Sequence, residues 1–277
     1  NITVMKTRNL ISAAAFSLLF FSFIAANAQY RSVPNTAWKR GEKLTYIVYF
    51  DSFLTGKIKA AYGTFEVMPE TETVGGRTCN HIVVSGATFK KYNWAIFVND
   101  RFDSYVDEEG QFPLLFLRRA HEGNFTADQD IVFNHGKNLA QFKDNKKEKT
   151  VNYYIPTYAQ DMISAGYYAR NLDLTNFKAG QNITIPYVFE DSLFSTTLVY
   201  DGISNLKMGL GTFNCIKLKP KVLVGTVFGE AYPLTIYVTN DKNRIPLYAK
   251  SSILIGTVKF ELISYSGLKN PLDSKKK

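Results

Sequence analysis

Gly41-Glu42-Lys43-Leu44-Thr45-Tyr46-Ile47-Val48-Tyr49-Phe50 sets the class of this protein. A glycine opens the run, β-branched and aromatic residues fill it, and Asp51-Ser52 closes it, the pattern of a strand bounded by turn residues. Both of its faces are apolar, so it reads as a strand covered on both sides. The next run, Ile58 to Met68, changes parity. Ile58, Ala60 and Tyr62 share one face, but past Gly63 the apolar set becomes Phe65 and Val67. A one-residue slip at a glycine predicts a β-bulge at Gly63.

Working outward, strand signals recur with turn residues between them. They cover Thr78–Ser85, Trp94–Asn99, Phe102–Val106, Leu114–Arg119, Ile131–Phe133 and Val151–Ile155, then Ile183–Phe189, Thr196–Tyr200, Asn214–Leu218, Val222–Val227, Leu234–Thr239, Leu247–Leu254 and Thr257–Ser264. One good helix candidate interrupts them, from about Tyr158 to Leu172. Asp161 lies in its first turn and Arg170 in its last, each suiting the dipole of its end. Met162, Ala165 and Ala169 form an apolar stripe with Tyr168 beside it. Gly166 weakens the helix by about 1 kcal/mol relative to alanine.

The opening run has an echo. Gly41–Tyr46 resembles Gly180–Ile185 at an offset of 139, and Asn80–Val84 resembles Asn214–Leu218 at an offset of 134. Val106-Asp107 resembles Asn240-Asp241, and a proline follows each, at Pro113 and Pro246. These matches predict an internal duplication, with halves 41–157 and 173–267 joined by the helix. In that alignment Cys79 falls opposite Phe213. The fold expected is therefore mostly β: antiparallel curved sheets, as an open barrel or a sandwich, with one principal helix near 158–172.

The flanks carry other signals. Met5 opens a segment with Lys6 and Arg8, an apolar run from Leu10 to Ala26, and the small-x-small exit Ala26-Asn27-Ala28. This is the pattern of an export signal peptide covering residues 1–28 and removed before Gln29. The apolar run is short and rich in alanine and serine, so no stable transmembrane anchor is expected. Residues 29–40 read as a polar arm plugged onto the body by Trp38. Residues 268–277, ending Lys275-Lys276-Lys277, read as a disordered basic tail. The formal charge of +9 then suits solvated loops or an anionic envelope surface. In an exported protein nucleic acid is the wrong partner.

Several chemistries lack their parts. There is no G-x-S-x-G elbow, P-loop or G-x-G-x-x-G, and His81, His121 and His135 show no metal-ligand spacing. No cofactor, metal or catalytic residue is expected. Cys79 and Cys215 are the only cysteines. In an oxidising compartment they form a disulfide or stay buried thiols, and spacing does not decide between these. Two polar clusters remain as candidate ligand-binding sites. Asp103 and Tyr105 share a strand face with Asp107, the two carboxylates about 13 Å apart, too far for paired-carboxylate sugar hydrolysis. Asp161, Tyr167, Tyr168 and Arg170 lie on the helix. Asp161 and Arg170 are about 13 Å apart along it and need separate partners from the sheets.

Gly41-Glu42-x-Leu44-x-Tyr46 with Gly56, Phe102-Asp103-Ser104-Tyr105-Val106-Asp107 with Pro113, and Asp161-x-x-Ser164-x-x-Tyr167-Tyr168-x-Arg170 follow one another in order. Gly211-x-Phe213-x-Cys215 and Asp241-x-x-Arg244-Ile245-Pro246 complete the series. Together they resemble the domain-of-unknown-function 3108 family of exported bacterial proteins, over about residues 38–265. The resemblance implies export and a mostly β fold, and no reaction.

The 17 tyrosines and 21 phenylalanines suit sheet packing and could line a concave surface. The expected function is thus an exported periplasmic or envelope protein that binds a hydrophobic, lipid-like or amphipathic ligand, or an envelope protein partner. The alternatives are a hydrolase of envelope polymers using the acidic cluster, and a structural adaptor.

Overall fold

In a computed structural model the described residues are 30–54, 56–93, 97–221, 234–253 and 256–276. The body that begins at Ser32 is one curved sheet. Its strands are β1 (Lys43–Ser52), β2 (Gly56–Val74), β3 (Arg77–Thr88), β4 (Asn99–Asp107), β5 (Pro113–Glu122), β6 (Phe125–Asn134), β7 (Leu139–Asp144) and β8 (Lys149–Tyr154). After β9 (Gln160–Asp161) and helix α1 (Met162–Arg170) come β10 (Asn182–Phe189), β11 (Ser192–Met208), β12 (Gly211–Lys221), β13 (Leu234–Thr239), β14 (Pro246–Ile253) and β15 (Gly256–Ser266). The spatial order runs from β8 down to β1, then from β15 down to β9, a meander folded back on itself through the β1–β15 ladder. Every described ladder is antiparallel except β9 with β10. The leader segment and the strand expected at 222–227 lie outside the described residues.

Two six-strand meanders, β1–β6 and β10–β15, have the same order and direction. Several of their backbone hydrogen bonds correspond. Gly41 N donates to Val67 O and Val67 N to Glu42 O; Gly180 N donates to Tyr200 O and Tyr200 N to Gln181 O. Both glycines adopt positive φ, 80° and 92°, which costs glycine little. Further along, Glu108 N donates to Thr78 O, and Asn240 N to Asn214 O. Cys79 faces Asp107 across one ladder, and Cys215 faces Thr239 across its counterpart. The β4–β5 register slips between Tyr105 and Val106, and the β13–β14 register between Tyr237 and Val238. Cys79 is therefore equivalent to Cys215, not to Phe213; the offset there is two residues greater than sequence similarity suggests. Two residues preserve side-chain parity, which is why the slip was invisible. The matching meanders cover 41–134 and 180–266, and β7 and β8 have no counterpart among the described strands.

The cysteines are free and fully buried. The expected alternative of a disulfide does not occur: β3 and β12 stand six strand steps apart around the sheet. Each thiol instead donates to the carbonyl two residues back, Arg77 O at 3.7 Å and Phe213 O at 3.5 Å. Burial pushes the two thiols up to about 12 and about 11.

Four other expectations are corrected. The parity change in β2 is real, but the extra residue is Ala60: Ala61 pairs with Val48 and Lys59 with Tyr49, while Gly63 sits in regular register with Tyr46 and Gly86. A strand signal at 139–144 was missed, because Leu139-Ala140-Gln141-Phe142-Lys143-Asp144 is charged and short. The helix is shorter than 158–172, since Tyr158 has φ 58° and Gln160-Asp161 is spent on β9. Residues 268–276 are not a frayed tail. Lys276 N donates to Thr212 O and Asn214 N to Ser274 O, beside the part of β12 that β13 does not reach, and Leu268 and Leu272 pack onto the same core.

The arm is pinned as well. Trp38 is buried in the main core, and Asn171 Oδ1 accepts from Thr36 N and Ala37 N.

Candidate functional site

Helix α1 organises the site. Asp161 is its N-cap rather than a first-turn residue: Oδ1 accepts from Ile163 N and Ser164 N, both at 2.7 Å, and Ser164 Oγ accepts from Asp161 N in return. This capping box satisfies helix-end donors that would otherwise be orphaned. Oδ2 accepts from Ser104 Oγ of β4 at 2.6 Å. Burial pushes the Asp161 carboxyl up to about 6, against the pull of these hydrogen bonds.

At the other end, Arg170 meets Glu42, which is fully buried at the entry to β1. Nη1 and Nη2 grip the two carboxylate oxygens at 2.6 and 2.8 Å, and Nε donates to Asn243 O at 3.0 Å. Burial opposes the guanidinium charge, but Glu42 more than restores it. Tyr167 stands edge-on to Trp38 at 5.2 Å, and the Arg170 guanidinium lies 5.2 Å from its ring centre.

Asp161, Tyr167 and Arg170 thus come together as a helix clamp. Glu42 and Ser104, the partners from the sheet, were not singled out as site residues, although both lie in the quoted motifs. Tyr168 is half-buried and lines no part of the cavity described below. Asp103 and Tyr105 are not brought in. Because Ser104 points to the helix, its neighbours on β4 point away. Asp103 accepts from His81 at 2.8 Å and from Arg101 at 2.7 and 2.9 Å. Burial pushes its carboxyl up, but these hydrogen bonds win and hold it below the usual range. Tyr105 stacks on His81 at 4.4 Å. Asp107 is held by Arg77.

The two sides of α1 differ. Ile163 and Tyr167 pack into a core with Trp38, Ile82, Val84 and Phe116. The stripe picked out by periodicity, Met162, Ala165 and Ala169 with Gly166, lines a cavity together with residues of β10–β13. The cavity measures about 470 Å³. Its sheet wall is Ile185, Phe189, Leu198, Leu218, Leu234 and Ile236. A Cβ built on Gly166 would meet nothing within 4 Å. Water gains few hydrogen bonds in such a space, and the volume falls in the range of small-molecule sites, roughly 300–1,000 Å³. Two cations touch the lining, Arg170, which is spent on Glu42, and Arg244.

Side chains link β5 and β8 to the turn between β10 and β11. Arg118 of β5 binds Glu190 at 2.6 Å, Lys149 of β8 binds Asp191 at 2.8 Å, and Tyr153 donates to Glu190 O.

Among solved structures, a beta-barrel-like protein of domain of unknown function DUF1849 from Brucella abortus superposes with a TM-score of 0.51 at 11% identity, over 83% of this chain and 99% of that one. That likeness is one of fold. A candidate exported protein with a YmcC-like fold from Bacteroides fragilis (TM-score 0.31, 9% identity, 86% and 100% covered) and a candidate lipoprotein from Parabacteroides distasonis (TM-score 0.28, 11% identity, 86% and 100% covered) are too distant to bear on the argument. No curated protein matches the chain. No helix among the described residues is long and apolar enough to cross a membrane. The profile of the family described as protein of unknown function, DUF3108, matches residues 35–263, most of the length, and the chain belongs to that family.

Proposed function

We propose that this protein is an exported, non-enzymatic binding protein that holds a hydrophobic or amphipathic molecule between α1 and strands β10–β13. The observation that carries the reading is the apolar cavity of about 470 Å³ kept open by the small residues Ala165, Gly166 and Ala169. A helix interior pays about 1 kcal/mol for glycine over alanine, and here that residue faces empty space rather than a close neighbour. The clamp at Asp161 and Arg170 fixes the helix at the height that keeps the space open. Export rests on the leader pattern of Met5–Ala28. The acidic cluster does not favour a hydrolase, since Asp103 and Asp107 are both consumed by cations.

Protein purified from its own envelope is extracted with organic solvent, and the extract is read by mass spectrometry. A stoichiometric apolar compound is expected from the wild type and its loss from Gly166→Leu, which fills the space. Clean extracts from both would overturn the reading. N-terminal sequencing of the exported form should begin at Gln29.

A further inference from the structure

Arg244 lines the cavity without a hydrogen-bond or ion-pair partner among the described residues, on a lining that is mostly apolar. The charged groups around it are committed. Arg170 is held by Glu42 and Asn243 O. Asp241 accepts from Thr239 Oγ1, Asn243 N and Ser274 N, and Asp173 accepts from Thr175 N. Arg244 itself is half-buried and has no hydrogen-bond or ion-pair partner among the described residues. Burial lowers its pKa, and the nearby charges of Asp173 and Asp241 only partly offset this.

The repeat shows what the position ordinarily does. Arg244 precedes Ile245-Pro246 with φ 50°, and Gln111 precedes Phe112-Pro113 with φ 52°. Gln111 is buried, and its amide donates to Glu108 O, closing its own turn. The second meander puts an arginine in that place, and Arg244 lines the cavity. Its end of the cavity is fixed by strand direction. Arg244 lies in the β13–β14 turn, at the end of the ladder where Val238 pairs with Pro246, while Leu234 at the other end of β13 is about 13 Å from Val238 at ~3.3 Å per residue. The cavity therefore has a charged end and an apolar end.

We propose that the ligand is a single-chain amphiphile with an anionic head, a carboxylate or a phosphate, that Arg244 binds the head, and that the chain runs along α1 toward Phe189, Pro220 and Leu234. This rests on the reading that the cavity holds a ligand. A guanidinium fork matches either head bidentately, and a half-buried cation without a partner gains most from acquiring one. The far wall offers a chain a mainly apolar surface, broken by Tyr187 and Thr196.

Calorimetric titration of the full chain with dodecanoate, dodecyl phosphate and dodecanol tests this. The wild type should bind each anion at least tenfold more tightly than the alcohol, and the tighter anion identifies the head. Arg244→Gln should erase that preference while leaving dodecanol unchanged, and Arg244→Lys should restore part of it by charge alone. Arg244 makes no hydrogen bond or ion pair among the described residues and loses only the longer-range attraction of Asp173 and Asp241, so both variants should melt close to the wild type. Equal binding of all three probes by the wild type, or a preference that survives Arg244→Gln, overturns the anionic head and leaves the cavity as a site for neutral ligands. Binding of none of the three removes the cavity reading itself.

Discussion

Ile82 on β3 and Leu218 on β12 occupy equivalent points of the two meanders, opposite Val67 and Tyr200 respectively. Ile82 belongs to a core that Trp38 and Tyr167 fill, whereas Leu218 fronts a hollow. Phe102 and Leu234 make a second such pair: each is followed three residues on by an equivalent tyrosine, Tyr105 or Tyr237, and only Leu234 lines the cavity. The backbone plan is shared, and the filling is decided by which side of α1 a meander meets. One side carries Ile163 and Tyr167, the other Ala165, Gly166 and Ala169.

The largest way to break this contrast is to free the helix. Arg170→Ala strands Glu42 as a buried charge without its partner, and losing one member of a buried pair costs about 3–5 kcal/mol. Urea unfolding should show that loss. A change below about 1 kcal/mol would mean that the helix is not held by the clamp. Next, Ile82→Ala should cost about 4 kcal/mol and Leu218→Ala about 2, because deletion beside an existing void removes fewer contacts. Equal losses would say that the second meander is as well packed as the first.

A pH experiment sharpens the account of the clamp. The Asp161 carboxyl is raised from 3.8 to about 6 in the fold, so the folded state binds that proton more tightly than the unfolded chain. Its charge destabilises the fold above pH 6, and that cost fades as pH falls from 6 to below 4. Wild type should therefore gain on the order of 2 kcal/mol relative to Asp161→Asn over this window, by differential denaturation. Parallel pH curves would refute the burial assigned to this group. The smallest effect is a gain. Gly166→Ala should stabilise by about 0.5–1 kcal/mol through helix propensity alone, and a loss would mean that the space beside Gly166 is already occupied.

Much of this was legible in the chain. Alternation and turn residues exposed most of the strands, and Gly41 and Gly180 marked equivalent turns because a positive φ is written directly as glycine. Asp161 and Arg170 were recognised as needing sheet partners from the length between them. What stayed hidden depends on three-dimensional neighbours. A β-bulge moves parity without naming its residue, so Ala60 was mistaken for Gly63. Two-residue slips leave parity intact, so Cys79 was set against Phe213. The apolar stripe of α1 was read correctly as a face, but sequence does not say whether a face meets side chains or space. Arg244 appeared only as part of a motif, since its lack of a partner is a property of its surroundings.

The line where β5 and β8 meet the β10–β11 turn has a mechanical meaning. Elsewhere the wall is laddered strand to strand by backbone bonds, but here Arg118, Lys149 and their acidic partners hold it. Lys149 with Asp191 is an exposed pair, worth about 1 kcal/mol or less and weaker as ionic strength rises, whereas the Arg118 guanidinium is buried against Phe189 and is screened far less. Dissolved salt therefore loosens the Lys149 corner of this line while Arg118 still fastens the other, so counter-ions choose where the curved wall gives first.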